Sequence, residues 1–366
     1  MTESFDNENM DNTNNEGLTP HTENNDTFTG DINMEKTSTP QSGDISFQSR
    51  LDLSELQTGI AAIKAEINSV IVGQHKMIDQ LLVAILSNGH VLLEGVPGVA
   101  KTITAKLLSK TLSLDFSRIQ FTPDLMPSDI LGTSVFDLSK SVFNFKKGPI
   151  FSNFILIDEI NRAPAKTQAA LFEVMEERQI TVEGTTYTME APFLVIATQN
   201  PIEQEGTYRL PEAQLDRFLF KINIDYPNLN EEITILQREN ALKDKQKLDN
   251  IKQVLSQANI VKYQSIVKQI SIEAQLLEYI AKIVINTREN AFLFLGASPR
   301  ASIAILNAAK GYAALRGRDF VTPEDIKDSA IPVLQHRVMV APEREMEGLT
   351  SEQIIKQIID TVEIPR

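Results

Sequence analysis

The stretch "HVLLEGVPGVAKTITAKLLSKTL", residues 90–112, restricts what this chain can fold into more than any other. An apolar run, Val91-Leu92-Leu93, stops at Gly95. A glycine-proline loop follows, and Lys101-Thr102 then open a segment with helical spacing. Strand, glycine loop and helix, in that order, form the context of the phosphate loop G-x-x-x-x-G-K-[ST]. Backbone N–H groups and the positive end of the helix hold phosphate there. The candidate nucleotide-binding residues are therefore Gly95, Val96, Pro97, Gly98, Val99, Ala100, Lys101 and Thr102. Lys101 supplies charge to the β- and γ-phosphates, and Thr102 a hydroxyl for Mg²⁺. Ala100 stands where the pattern has glycine. Alanine keeps its N–H and adds only a Cβ, which is tolerated where φ is negative. A working loop with this residue is thus expected to have φ < 0 at Ala100, with the N–H turned into the anion cradle.

A second motif, "FILIDEINRAP", begins at Phe154. Phe154–Ile157 is a continuous apolar run, as in a strand buried on both faces of a parallel sheet. It ends in Asp158-Glu159. Adjacent carboxylates at the C-terminal end of such a strand stand at the mouth of the sheet, where ligands bind. Asp158 can hold Mg²⁺, and Glu159 can polarise the water that attacks the γ-phosphate. An acidic pair after a core strand is often merely solvated, but a phosphate loop 57 residues upstream weighs against that plain alternative. A third apolar run, Phe193–Ala197, ends in Thr198, Gln199 and Asn200. Asn200 can orient the attacking water or contact the γ-phosphate, although Asn-Pro after a strand also serves as a simple turn.

Composition bounds the alternatives. The 366 residues contain no cysteine, which removes disulfides and thiolate chemistry and fits a cytoplasmic protein. The net charge of −14 weighs against a general nucleic-acid binder. No apolar run approaches the ~18 residues needed to span a bilayer. The four histidines, His21, His75, His90 and His336, have no zinc spacing. His75 is expected to cap a helix. Residues 1–50 hold ten Asp or Glu against Lys36 and Arg50 and are rich in Asn and Thr, so a disordered acidic tail is expected there.

Leu53, Leu56, Ile60, Ile63, Ile67 and Val70 have helical spacing, with Ser54 or Asp52 as the cap. "HKMIDQLLVAILSNG" predicts a second helix ending at Asn88-Gly89. Two hairpins are expected, at Thr133–Gly148 and at Arg178–Met189, the latter turning at Glu183-Gly184. Beyond residue 226 the pattern is helical, with Asn230 and Ser271 as expected starts. Ser298-Pro299 and Thr322-Pro323 open two further helices, placing Arg300 in a first turn.

Five blocks resemble the MoxR group of AAA+ ATPases, over roughly residues 70–345. They are "RIQFTPDLMPSDILG", "GPIFSNFILIDEINRAPAKTQAALFEVMEERQITVEG", "VIATQNPIEQEGTYRLPEAQLDRF", "GASPRAS" and "GRDFVTPEDI". Members of that group favour alanine before the loop lysine; Arg209 stands where they often have proline. The resemblance implies a P-loop AAA+ α/β fold, a parallel sheet with flanking helices and inserted β-hairpins, followed by an all-helical lid domain. The corresponding boundaries are a tail at 1–50, an ATPase domain at 51–226 and a lid at 227–366. It implies ATP and Mg²⁺ as cofactors, with Thr102 and Asp158 at the metal. It further implies Lys101 and Thr102 as the Walker A pair, Asp158 and Glu159 as Walker B and Asn200 as first sensor. Arg217, in "QLDRF", would be the arginine finger for a neighbouring subunit, and Arg300, in "SPRAS", the second sensor on the lid, facing a cleft between lid and large domain. Two arginines suit such tasks because a guanidinium stays charged and makes forked contacts to phosphate oxygens.

The function so implied is Mg-dependent ATP hydrolysis by a hexameric ring, coupled to chaperone-like remodelling or maturation of a protein client. Partners in the group include von Willebrand factor A domain proteins, and the work includes metal or cofactor insertion. Two other classes stay open at this point: a nucleotide-gated scaffold with incidental turnover, and a DNA-associated motor, against which the acidity argues.

Overall fold

The computed structural model describes residues 51–201, 207, 208, 210–241 (Ala241 as backbone only) and 251–365. The expected acidic tail, Arg209 and residues 202–206 lie outside them. Helices α1 (Ser54–Val70) and α2 (His75–Leu86) precede the sheet. Strand β1 (Val91–Gly95) leads through the glycine loop into α3 (Lys101–Thr111). Then follow β2 (Phe116–Gln120), α4 (Pro127–Leu131), β3 (Gly132–Asp137), β4 (Val142–Lys147), β5 (Phe154–Asp158), α5 (Ala165–Glu177), β6 (Gln179–Val182), β7 (Thr185–Thr188), β8 (Leu194–Gln199), α6 (Glu212–Leu215) and β9 (Phe220–Ile224). The rest is α7 (Leu229–Ala241), α8 (Gln257–Lys268), α9 (Ala274–Glu289), β10 (Leu293–Leu295), α10 (Pro299–Leu315), α11 (Pro323–Leu334), β11 (Met339–Val340), α12 (Pro342–Met346) and α13 (Ser351–Thr361). The lid is helical apart from the short antiparallel pair β10–β11.

The five-stranded sheet has the order β2-β5-β8-β1-β9, and every pairing is parallel. All five strands therefore end at one edge, where the loop after β1 begins. Alternation along each strand feeds two cores. Val91, Leu93, Phe154 and Leu156 face a core shared with α1, α2, α3 and the lid helices. Leu92, Ile155 and Ile157 face a second core capped by α5 through Leu171, Phe172 and Met175. Burial on both faces accounts for the apolar run of β5, all five of whose residues are buried. The described residues form one compact unit, and the expected divide at 226 falls between β9 and α7.

Both hairpins form at the expected places, as β3–β4 and β6–β7. Of the two residues expected to cap α1, Asp52 accepts the backbone N–H of Ser54 at 2.9 Å, and Ser54 is already helical. Three other helix starts differ from expectation. Asn228, not Asn230, caps α7, accepting from the N–H groups of Asn230 and Glu231. Glu273, not Ser271, precedes α9; Ser271 instead pairs with the 319–321 segment. His75 is exposed at the first position of α2 and does not cap it. Apolar spacing locates a helix start only to within a few residues.

Candidate nucleotide site

A cleft of about 400 Å³ opens at the C-terminal edge of the sheet. Its walls include Gly98, Lys101, Thr102, Asp158, Glu159 and Asn200. The sheet topology explains the convergence: β1, β5 and β8 are neighbours and parallel, so the residues following each strand meet at one end. Val99 is buried beneath the loop, and the Lys101 ammonium donates to the Gly95 carbonyl at 2.5 Å. All residues lining the cleft fall between 97 and 200.

Ala100 departs from expectation. Its φ is +64°, in the left-handed region, as the cap residue of α3. The chain must reverse sharply between Gly98 (φ +90°) and the first turn of α3, which is the physical reason the pattern has glycine there. Alanine adopts this conformation at a cost of roughly 1–2 kcal/mol. Its side chain packs against the core shared by β1 and α3. The consequence is strain in the loop, with the methyl group accommodated by the core.

The acidic pair is held from two sides. Asp158, 7% exposed, accepts from the Thr198 hydroxyl at 3.2 Å and from Arg118 Nε–H at 2.6 Å. Glu159 has φ +59°, which turns it away from the strand direction. Its backbone N–H donates to Thr198 Oγ1 at 3.1 Å. Its carboxylate accepts from Gln120 Nε2 at 2.9 Å and pairs with Arg162 at 2.9 Å. Arg118 and Gln120 both come from β2, two residues apart and hence on one side of the strand. They were not foreseen; the alternating polar residues in "SRIQF" were the available signal. Asp158 and Thr102 offer carboxylate and hydroxyl oxygens on one cleft, a hard donor set of the kind Mg²⁺ takes.

Arg217 and Arg300 do not line this cleft. Arg217 Nη1–H donates to the Phe172 carbonyl at 2.7 Å, and the guanidinium pairs with Glu176. Arg300 Nη2 reaches the other oxygen of Glu176 at 2.5 Å. Glu176 lies in the last turn of α5, whose C-terminal dipole also favours cations. The Arg217 segment is fixed on its other side by the lid: Arg337 Nε–H donates to Asp216 at 2.7 Å and its Nη2–H to the Phe218 carbonyl at 2.6 Å.

Comparison with known proteins agrees with this architecture. Residues 90–220 match the family described as ATPase family associated with various cellular activities (AAA), and residues 285–358 match the AAA lid domain. The chain is 46% identical over 300 residues to the uncharacterized protein YeaC of Bacillus subtilis, spanning 82% of this chain and 92% of that protein. It is 44% identical over 310 residues to Chaperone MoxR1 of Mycobacterium tuberculosis, spanning 82% of this chain and 81% of the relative. A crystal structure from Cytophaga hutchinsonii, described as a presumed ATPase, superposes with a TM-score of 0.79 at 44% identity, covering 85% of this chain and 97% of the other.

Proposed function

This chain belongs to the MoxR family of AAA+ ATPases, and we propose that it hydrolyses Mg–ATP in a closed ring of like subunits, six by family resemblance, to drive chaperone-like work on a protein client. The observation that carries the reading is the convergence of Lys101, Thr102, Asp158, Glu159 and Asn200 on one cleft at the mouth of a parallel sheet. The Lys101 ammonium would exchange the Gly95 carbonyl for phosphate oxygens. Thr102 and Asp158 would hold Mg²⁺, which when bound neutralises charge on the phosphates. Glu159 would leave Gln120 and Arg162 to accept a proton from the attacking water as the γ-phosphorus–oxygen bond to ADP breaks. Asn200, buried at the end of β8, would orient that water.

Arg217 would be the arginine finger for the neighbouring subunit's γ-phosphate; Arg300, expected as the second sensor, does not line its own cleft either and would join Arg217 there, since both sit on Glu176. Head-to-tail contacts of this kind close only by rotation into a ring. The exposed tip of β3–β4, with Phe143 and Leu138 in the open and the tilted rings of Phe136 and Phe143 5.0 Å apart, would meet the client. A von Willebrand factor A domain protein is the partner class proposed, in metal or cofactor insertion, in the cytoplasm. No helix among the described residues is long and apolar enough to cross a membrane.

The test is Mg²⁺-dependent turnover measured across protein concentration. Activity per chain that rises steeply on assembly supports the reading. Full turnover in a verified monomer would overturn the ring, and absence of Mg-dependent turnover at every concentration would leave the scaffold alternative standing. Capture on a Glu159→Gln chain loaded with Mg–ATP addresses the client.

A further inference from the structure

Glu176 joins two arginines that the chain keeps far apart. Arg217 lies between α6 and β9 in the large domain, and Arg300 lies in the first turn of α10 in the lid. One carboxylate takes both, one oxygen each. Glu176 and Arg217 are about one-third exposed and Arg300 about half, and ion pairs this open add little to stability. The effect of the arrangement is therefore geometric. Without the shared carboxylate, two guanidinium groups at one spot would repel and splay. With it, three charges leave a net single positive charge on a firm base. Phe172 packs edge-on against Phe218 at 5.8 Å beneath, and Arg337 pins Asp216 alongside. The buried Nε–H of Arg217 meets no acceptor among the described residues.

We propose that Glu176 is a positioning residue for catalysis in trans: it holds Arg217 and Arg300 side by side as one two-cation unit, presented to the terminal phosphate of the neighbouring subunit's nucleotide. A phosphate carries the same kind of oxygens as the carboxylate, and an exposed pair exchanges one for the other at small cost. The same carboxylate links the first turn of α10, through Arg300, to α5. Departure of Arg300 toward phosphate would thus free that turn in one subunit in response to the nucleotide of the next. This inference rests on the trans reading of Arg217 given above.

The experiment compares Glu176→Gln, Glu176→Asp and Arg217→Ala, each alone and in mixed rings with Lys101→Ala. Glu176→Gln is expected to bind ATP as the parent does, to keep its KM and thermal midpoint, and to lose kcat by roughly ten- to a hundredfold. Glu176→Asp, which keeps the charge at shorter reach, is expected to fall between. Hydrogen exchange at residues 299–303 of the nucleotide-free Glu176→Gln chain should quicken as Arg300 loses its anchor. Mixing Glu176→Gln with Lys101→Ala should restore part of the activity, because some interfaces then pair an intact loop with an intact arginine unit. Unchanged kcat, or recovery in the Arg217→Ala mixture but not in the Glu176→Gln mixture, would overturn the role of Glu176 and leave the trans finger standing. Failure of both mixtures in verified mixed rings would overturn the trans reading itself.

Discussion

Arg118 Nε–H donates to Asp158 Oδ2 at 2.6 Å, so a cation from β2 sits on the carboxylate expected to meet Mg²⁺. The Arg118 side chain is 54% exposed and Asp158 9%, so the arginine can swing out while the carboxylate cannot. Mg²⁺ binding at Asp158 would then displace it. Replacing Arg118 by Ala removes the competitor without disturbing the core, and the Mg²⁺ concentration needed for half-maximal nucleotide binding should fall by roughly two- to fivefold, the worth of one exposed ion pair. A Mg²⁺ titration followed by a fluorescent ATP analogue reads this. A higher Mg²⁺ requirement in the variant would show that Arg118 supports the site and does not compete for it.

Lys101→Ala should abolish nucleotide binding, whereas Glu159→Gln should bind normally and fail to turn over. In the proposed division, the ammonium would complement phosphate charge in the ground state and the carboxylate would act on water during the reaction. Equilibrium binding beside single-turnover hydrolysis separates the two, and equal loss of binding in both variants would refute the division of roles.

Arg217→Ala should bind ATP like the parent and turn over more slowly by a factor within ~10³–10⁵, the worth of an arginine finger in phosphoryl transfer. Steady-state kinetics at concentrations above ring assembly measure it. A loss of tenfold or less would leave Arg217 as a structural ion pair with Glu176.

Ala100→Gly should relieve the left-handed strain. Glycine gains flexibility in the unfolded chain, which offsets part of the relief, so a net stabilisation of up to about 1 kcal/mol is expected. ATP binding should be retained. Thermal or urea unfolding reads the change, and a clear destabilisation would mean that the methyl packing against the core outweighs the backbone strain.

Acid should destabilise the fold through His90. Burial, and then the nearby Arg178 charge, lower its pKa to about 3. Val195 N–H donates to its Nδ1 at 3.0 Å, so the ring proton sits on Nε2 and goes to the Met175 carbonyl at 3.1 Å. The folded state binds the second proton less readily than the unfolded chain, so stability is full above the unfolded value near 6.5 and falls as pH drops from there toward 3. The slope is about 1.4 kcal/mol per pH unit for one such group. In urea unfolding between pH 6 and about 4.5, the parent should show that extra slope over His90→Gln; equal slopes would place the acid sensitivity elsewhere.

Much of the site was legible along the chain because its signals are local. The loop from Gly95 to Thr102 follows its strand directly, and Asp158-Glu159 ends an apolar run whose length and purity require burial on both faces. In a parallel sheet such ends share one edge, so the motifs had to meet. Hairpin positions were legible for the same reason, since a two-residue period broken by a turn is local. Helix starts were less so: Asn228 and Glu273 displaced the expected Asn230 and Ser271. Several polar residues near a helix start can each serve, and packing selects among them.

What the sequence by itself determined, then, is the set of chemical groups at the mouth of the sheet and the strand-loop-helix units that carry them, because each is written within a few consecutive residues. The tertiary structure alone decided three things. The left-handed turn at Ala100 follows from how abruptly the chain must leave the core-packed strand to start α3. The contacts of Arg118 and Gln120 with Asp158 and Glu159 follow from the register of β2 beside β5, which sets Gln120 opposite Asp158. The meeting of Arg217 and Arg300 on Glu176 follows from the docking of the lid on α5, with Glu176 and Arg300 124 positions apart in the chain. Spacing along a chain records periodicity and local turns. Which distant charges end up on one carboxylate is set by the burial of two cores that bring their elements together, and no local pattern carries that information.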